Sequence, residues 1–373
     1  MLPAISPTDP QTDEFSQRLA VAGKALEQAR VEAIYCVHGT FSGNDALGLL
    51  TELGRFAPGL SRTLSRLGKR TVDLVVGETG NYTPQFVAAL EAGLRAGTST
   101  TIPVRQFNWS SQNNHIARAD GAVRLIYELA TVASGMPAAV LQEAVQPRVL
   151  LWGHSHGGNV FSLLTSLLAA ERDARDAFFY AARSFYRPWL GREVDLPVWQ
   201  QVRELLDLPD HPLRRLKLDI VTFGTPVRYG WDADGYAQLL HFVHHRPPEN
   251  GAEFLAPWRI HVCRLLAATD GDYVQQIGIS GTNFAPVPFA PRTLLADWRL
   301  DRFLEQDLPR ERLVTRLSHG KRVPDAGTTL LVDYGELPTR VYQHLAGHAH
   351  YTRRRWLPFH CDQIVERFYG VER

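Results

Sequence analysis

The chain has 373 residues, 45% apolar and 21% charged, which is close to an average globular composition and supports a sizeable core. Its formal net charge of +1 leaves no electrostatic footprint for nucleic acid, and short basic runs such as Arg353-Arg354-Arg355 read as solvated surface. Its three cysteines, Cys36, Cys263 and Cys361, form no C-x-x-C pair, which excludes a disulfide framework and suits a reducing compartment.

Residues 1–10 are polar and proline-rich and read as a loose arm. Residues 1–14 hold no basic region followed by an apolar stretch, so no signal peptide is read. No run approaches the ~18 apolar residues of a membrane span. The expectation is a cytoplasmic protein with no integral membrane segment, with signal-independent export left open. Helical spacing over 11–30 completes an N-terminal unit, 1–30.

The rest, 31–373, reads as one domain with insertions. A buried strand over 31–37 ends at His38-Gly39-Thr40. A helix follows over 45–67, broken at Pro58-Gly59, and a short strand over 71–76. Residues 101–109 form a strand and 113–133 a helix, with Asn113 or Asn114 as its cap. A short apolar strand, 148–152, runs into Gly153-His154-Ser155-His156-Gly157, and a helix spans 159–170. Strands over 216–223 and 259–267 end at Gly224-Thr225-Pro226 and Thr269-Asp270-Gly271-Asp272. A last strand over 328–334 and an amphipathic helix over 356–369 finish the chain. Cys36 and Cys263 fall in the apolar runs and read as small core residues.

Strands alternating with helices predict an α/β fold, a mostly parallel central sheet with helices on both faces. Segments of about 172–215, 234–257 and 282–322 break the alternation and read as lid-like insertions at strand ends. The first is rich in aromatics, among them Phe178, Tyr186, Trp189 and Trp199. They form either a lid or acyl-chain wall, favouring lipids, or that insertion's own small core.

Gly153-His154-Ser155-His156-Gly157 matches G-x-S-x-G. Such a serine sits on a sharp strand-to-helix turn where neighbouring Cβ atoms would clash, which explains the glycines. The apolar strand before it and the apolar helix after it make Ser155 the candidate nucleophile. The alternative is an ordinary serine in a glycine-rich turn. His154-x-His156 lacks the Asp-His ligands of a dinuclear metal site, so neither metal nor organic cofactor is expected. The backbone N–H of His156 is a candidate oxyanion donor, with His154 packed behind the turn.

With this elbow the chain resembles the α/β-hydrolase superfamily, in particular lipase-like serine esterases whose elbow reads G-H-S-x-G-G. The likeness runs from about Val31 to the C-terminus, with the insertions unmatched. It implies that Thr40, or alternatively Phe41, supplies the second oxyanion donor after the first strand. It also implies the triad order serine, acid, histidine. Phe223-Gly224-Thr225-Pro226 resembles the F-G-[ST]-P turn and offers no carboxylate, leaving Asp270 and Asp272. Asp272-Tyr273-Val274 resembles the D-x-V arrangement, which favours Asp272; Asp270 then caps the turn beside it. His348-Ala349-His350-Tyr351 resembles H-x-x-Y, which favours His348 as base with His350 as alternate, while His360 is structural.

Trp109 and Ser110 resemble a W-S-G-x-N-S stretch of some bacterial members and are candidate substrate-lining residues. The implied activity is carboxylic ester hydrolysis on a small-molecule or lipid ester; no partner protein is identified. Rival readings are a phospholipase acting as an exported antibacterial effector, and a non-catalytic binding protein on a hydrolase scaffold.

Overall fold

The computed structural model describes residues 5–40, 78–137, 145–188, 194–226, 228–246, 262–279, 283–286, 290–304, 323–335 and 344–370. The expected helix over 45–67, the strand over 71–76, Phe41 and Trp189 lie outside the described residues.

In chain order the described elements are α1 (Asp13–Gln28), β1 (Val31–Val37), α2 (Pro84–Arg95), β2 (Val104–Phe107), α3 (His115–Gly135), β3 (Arg148–His154) and α4 (His156–Ala169). Then come α5 (Arg172–Ala181), α6 (Arg183–Tyr186), α7 (Pro197–Leu206), β4 (Lys217–Phe223) and β5 (Gln238–His244). The last are α8 (Val262–Ala267), α9 (Tyr273–Ile279), α10 (Pro291–Leu304), β6 (Thr328–Val332) and α11 (Leu357–Tyr369). The six strands form one sheet in the order β2-β1-β3-β4-β5-β6, and every neighbouring pair is parallel.

Helix starts follow local chemistry. Thr12 and Thr83 cap α1 and α2 by accepting the Phe15 and Phe86 N–H groups at 3.3 and 3.1 Å. Asn114, one of the two candidate caps, accepts the Ala117 N–H at 2.9 Å and opens α3. The sequence reading leaves α2 unrecognised, although Thr83-Pro84 followed by Phe86, Leu90 and Leu94 carries its cap, its N1 proline and its buried stripe.

The sheet is buried on both sides because alternate strand residues point to opposite faces. Tyr35, Val37, Val149 and Leu151 pack with α3, α4 and the 172–206 helices. Ile34, Cys36, Leu150 and Trp152 pack with α1, α2 and α11. Each fully buried aliphatic or aromatic side chain contributes about 1.5–3 kcal/mol.

Two expectations are corrected. Residues 262–267 are helical, not part of a strand, and Cys263 is exposed there rather than in the core. Leu265, Leu266 and Ala267 are good helix formers, so the apolar run fits either period. The fifth strand is β5, inside the stretch read as an insertion over 234–257. His241 and His244 interrupt its apolar run in the sequence. In the fold His241 Nδ1 pairs with the Thr222 hydroxyl at 2.6 Å, so the histidine enters the sheet with its polar atom satisfied.

The strand order places a switch point at β1 and β3. After β1 the chain leaves to β2 on one side; β3 returns on the other. A crevice forms at the carboxyl ends of strands that diverge this way, and β1 ends in His38-Gly39-Thr40 while β3 ends at the elbow.

Candidate active site

Ser155 is the single residue between β3 and α4. Its φ of 54° and ψ of −132° are costly for a residue with a side chain, about 1–3 kcal/mol. Three hydrogen bonds hold it there. Its N–H donates to the Phe223 carbonyl at 2.8 Å, and its carbonyl accepts the Gly158 N–H at 3.0 Å and the Thr225 hydroxyl at 2.8 Å. At about 1 kcal/mol each they match the strain. Gly157 is required by space: a Cβ there would lie 2.6 Å from the Val37 carbonyl oxygen, which is backbone of β1. A Cβ on Gly39 would lie 2.6 Å from Ser155 Cβ, so the turn after β1 abuts the elbow itself.

The candidate acid Asp272 lies beside the end of β5, its N–H donating to the His244 carbonyl at 2.9 Å. Asp272 is fully buried. Its Oδ1 accepts the Gln275 N–H at 2.8 Å and so caps α9; its Oδ2 lies 2.7 Å from His348 Nδ1. Against a carboxylate, Nδ1 carries the proton and donates, which leaves Nε2 as the basic nitrogen. Nε2 is buried and has no hydrogen-bond partner among the described residues.

His154, which precedes Ser155, lies against His348. The His154 and His348 ring centroids are 4.5 Å apart, and His154 Nε2 lies 3.1 Å from the His348 carbonyl, to which it donates. His154 is pushed down to about 3, chiefly by burial and then by the charge of His348, so it is a neutral donor. His156 is held well below its ordinary value by burial first, then by Arg118, Arg228, His348 and His115.

The loop carrying His348 is tightly wound. Leu345, Ala346 and Gly347 have φ of 45°, 51° and 89° in succession. Ala346 accepts the Tyr273 N–H at 3.0 Å, which ties the His348 loop to the segment carrying Asp272.

The alternates lie elsewhere. The Asp270 carboxylate is engaged by the Arg264 guanidinium, with Nε at 3.0 Å, and by the Tyr273 hydroxyl. Asp272 caps α9 and also contacts His348. His350 is fully buried against Tyr334 and His244, with ring centroids 6.0 and 5.6 Å away.

His156 is the first residue of α4, so its backbone N–H is one of those a helix start leaves unpaired, at the positive end of the helix dipole. Thr40 follows β1 directly, and its hydroxyl oxygen is buried without a partner among the described residues. Trp109 is not an exposed pocket wall. It is buried, its indole N–H donates to the His38 carbonyl at 2.8 Å, and it stacks on the His38 ring. It supports the turn from behind. Ser110 is partly exposed, with its hydroxyl oxygen buried and without a partner among the described residues.

Protein-family models, curated proteins and solved structures give no match to this chain. Among the described residues no group of three or more His, Cys, Asp or Glu side chains forms a metal site, and no helix is long and apolar enough to cross a membrane.

The sequence reading misses a polar cluster at the start of α3. Arg118 is fully buried and donates to the Tyr229 hydroxyl at 2.7 Å, Asn113 Oδ1 at 3.0 Å and Asn283 Oδ1 at 2.8 Å. Its charge is among those acting on His156, which places this cation beside the elbow. Three neutral acceptors from separate segments hold it, and no spacing within one segment signals that. Of the described aromatics over 172–206, Tyr180 is exposed and the others are buried. Trp199 is fully buried among Phe178, Phe179, Phe185 and Tyr186, and its indole N–H donates to Asp120 at 2.8 Å. These rings belong to the same buried cluster as α3, α4 and that face of the sheet.

Proposed function

We propose that this chain is a serine hydrolase of the α/β-hydrolase kind, acting on carboxylic esters through an acyl-enzyme on Ser155. The observation that carries the reading is one arrangement: a strained serine on a strand-to-helix turn, beside a histidine held through Nδ1 by a buried carboxylate with Nε2 left free. In the first half-reaction His348 Nε2 takes the Ser155 proton as Oγ attacks the ester carbonyl. Asp272 fixes the imidazole tautomer and stabilises the imidazolium. The N–H groups of His156 and Thr40 receive the oxyanion; one such donor is worth about 2.7–4 kcal/mol in related chemistry. His348 returns its proton to the departing alcohol. Water, activated by the same nitrogen, then releases the acid and restores Ser155. The polar cluster at Arg118 and the buried aromatics of the first insertion give no support to an acyl-chain wall, so the ester's acyl group is left open in this reading.

The test is active-site labelling with turnover. A fluorophosphonate probe is expected to add to Ser155 alone, read by peptide mass spectrometry, and short-chain aryl esters are expected to be hydrolysed. Ser155→Ala should lose the label and lower kcat by about 10⁶-fold while keeping the fold. Absence of labelling in folded wild-type protein would sink the reading and leave the scaffold a binding protein.

A further inference from the structure

The acid of this site has a second side-chain partner. Tyr351 Oη lies 2.9 Å from Asp272 Oδ2, the oxygen that His348 Nδ1 also reaches, and 2.7 Å from the His244 main-chain nitrogen. A phenol has one proton. The His244 N–H is a donor and must point at Oη, so the phenol proton goes to the carboxylate. Oδ2 therefore serves two donors, and Oδ1 is taken by the Gln275 N–H at 2.8 Å. Tyr351 is fully buried, three residues beyond His348 on the same wound loop, so both side chains arrive at one oxygen from one segment.

We propose that Tyr351 is a positioning residue: its phenol clamps Asp272 and draws off part of the carboxylate charge that would otherwise face His348. The proposal rests on the hydrolase reading above only for its consequence in turnover. A hydrogen bond to an ionised oxygen is stronger than a neutral one and delocalises its charge. Less charge on Oδ2 means a less stabilised imidazolium and a base that is free at lower pH. The titratable groups facing this pair are His154 on β3, His156 on α4, His244 on β5 and Tyr334 after β6. Burial, the largest cause for each, keeps these histidines neutral and the tyrosine protonated. The arginines Arg118 and Arg228 act on His156 as well.

The experiment compares wild type, Tyr351→Phe and full-length protein with 3,5-difluorotyrosine at position 351. Tyr351→Phe removes only the hydroxyl. Its expected effects are an acidic limb of kcat/KM displaced upward by about half a pH unit and a kcat lowered about ten-fold, with KM within about two-fold. Difluorotyrosine is a stronger donor, so its limb moves the other way, and it keeps the test decisive if the phenylalanine variant does not fold. An NMR titration of the His348 imidazole reads the same displacements without substrate. If wild type hydrolyses no ester, the hydrolase reading fails while the titration still decides the role of Tyr351. Unmoved titration and rate limbs in both variants would overturn the proposal and reduce Tyr351 to packing.

Discussion

Two buried regions of this protein obey opposite rules. Around Trp199 the chain is locally content: aromatic rings stack edge and face, the one indole N–H finds Asp120, and helices α5 to α7 hold ordinary backbone angles. At the carboxyl end of the sheet the chain is locally discontented. Ser155, Leu345 and Ala346 have positive φ, His348 Nε2 and the Thr40 hydroxyl have no partner among the described residues, and Asp272 is buried with its charge. The first region is what burial produces when only stability is at stake. The second holds strain and unpaired polar atoms that the surrounding hydrogen bonds over-determine, which is where chemistry is found.

Substitutions can break this contrast. The largest effect is expected at the acid: Asp272→Asn should lower kcat by about 10⁴-fold, because an amide cannot hold the imidazole in the donating tautomer. Asp270→Asn, which disturbs the Arg264 and Tyr273 contacts, should leave kcat within a few-fold. Steady-state kinetics on both variants decides; equal losses would mean that the carboxylates act as one structural cluster. Next comes Trp199→Ala, which should cost about 3–5 kcal/mol in urea unfolding, with turnover per folded molecule unchanged. A folded Trp199→Ala protein that had lost activity would make the insertion part of the site after all.

The smallest effect per group is in pH, and it sharpens the comparison. Burial, with His244 and nearby arginines adding at His350, depresses His154, His241, His244, His350 and His360 to about 3, 4, 4, 2 and 3. Their ordinary value is about 6.5. The unfolded chain therefore binds protons first as the pH falls below about 6.5, and stability is lost from there down toward the folded values. Each such histidine contributes at most about 1.4 kcal/mol per pH unit. The urea midpoint should fall steeply between pH 6.5 and 4.5, and His360→Phe should flatten that slope. A midpoint level across this window would mean that these rings are solvated.

Much of the frame was legible from the runs and spacing of its apolar residues. The 31–37 and 148–152 runs are short and nearly continuously apolar, as strands buried on both faces are, and the helices over 11–30, 113–133 and 356–369 show helical spacing. Strand β5 was not legible because His241 and His244 look like surface residues until Thr222 and the Val332 carbonyl satisfy them. The 262–267 segment was misread because an apolar run of helix formers has no period of its own. Trp109 looked like a pocket residue because nothing in the sequence says that the His38 carbonyl waits for its indole.

The sequence by itself determined the glycine-spaced serine, the two aspartates and two histidines eligible to serve it, and the alternation that makes a parallel sheet. Those are local matters of spacing, size and turn sterics. Only the tertiary structure shows which of the eligible residues meet: Asp272, His348 and Tyr351 come together across 76 and 79 residues of chain. Such meetings depend on where β5 ends and how the 344–351 loop winds, and neither leaves a trace in the local order of residues.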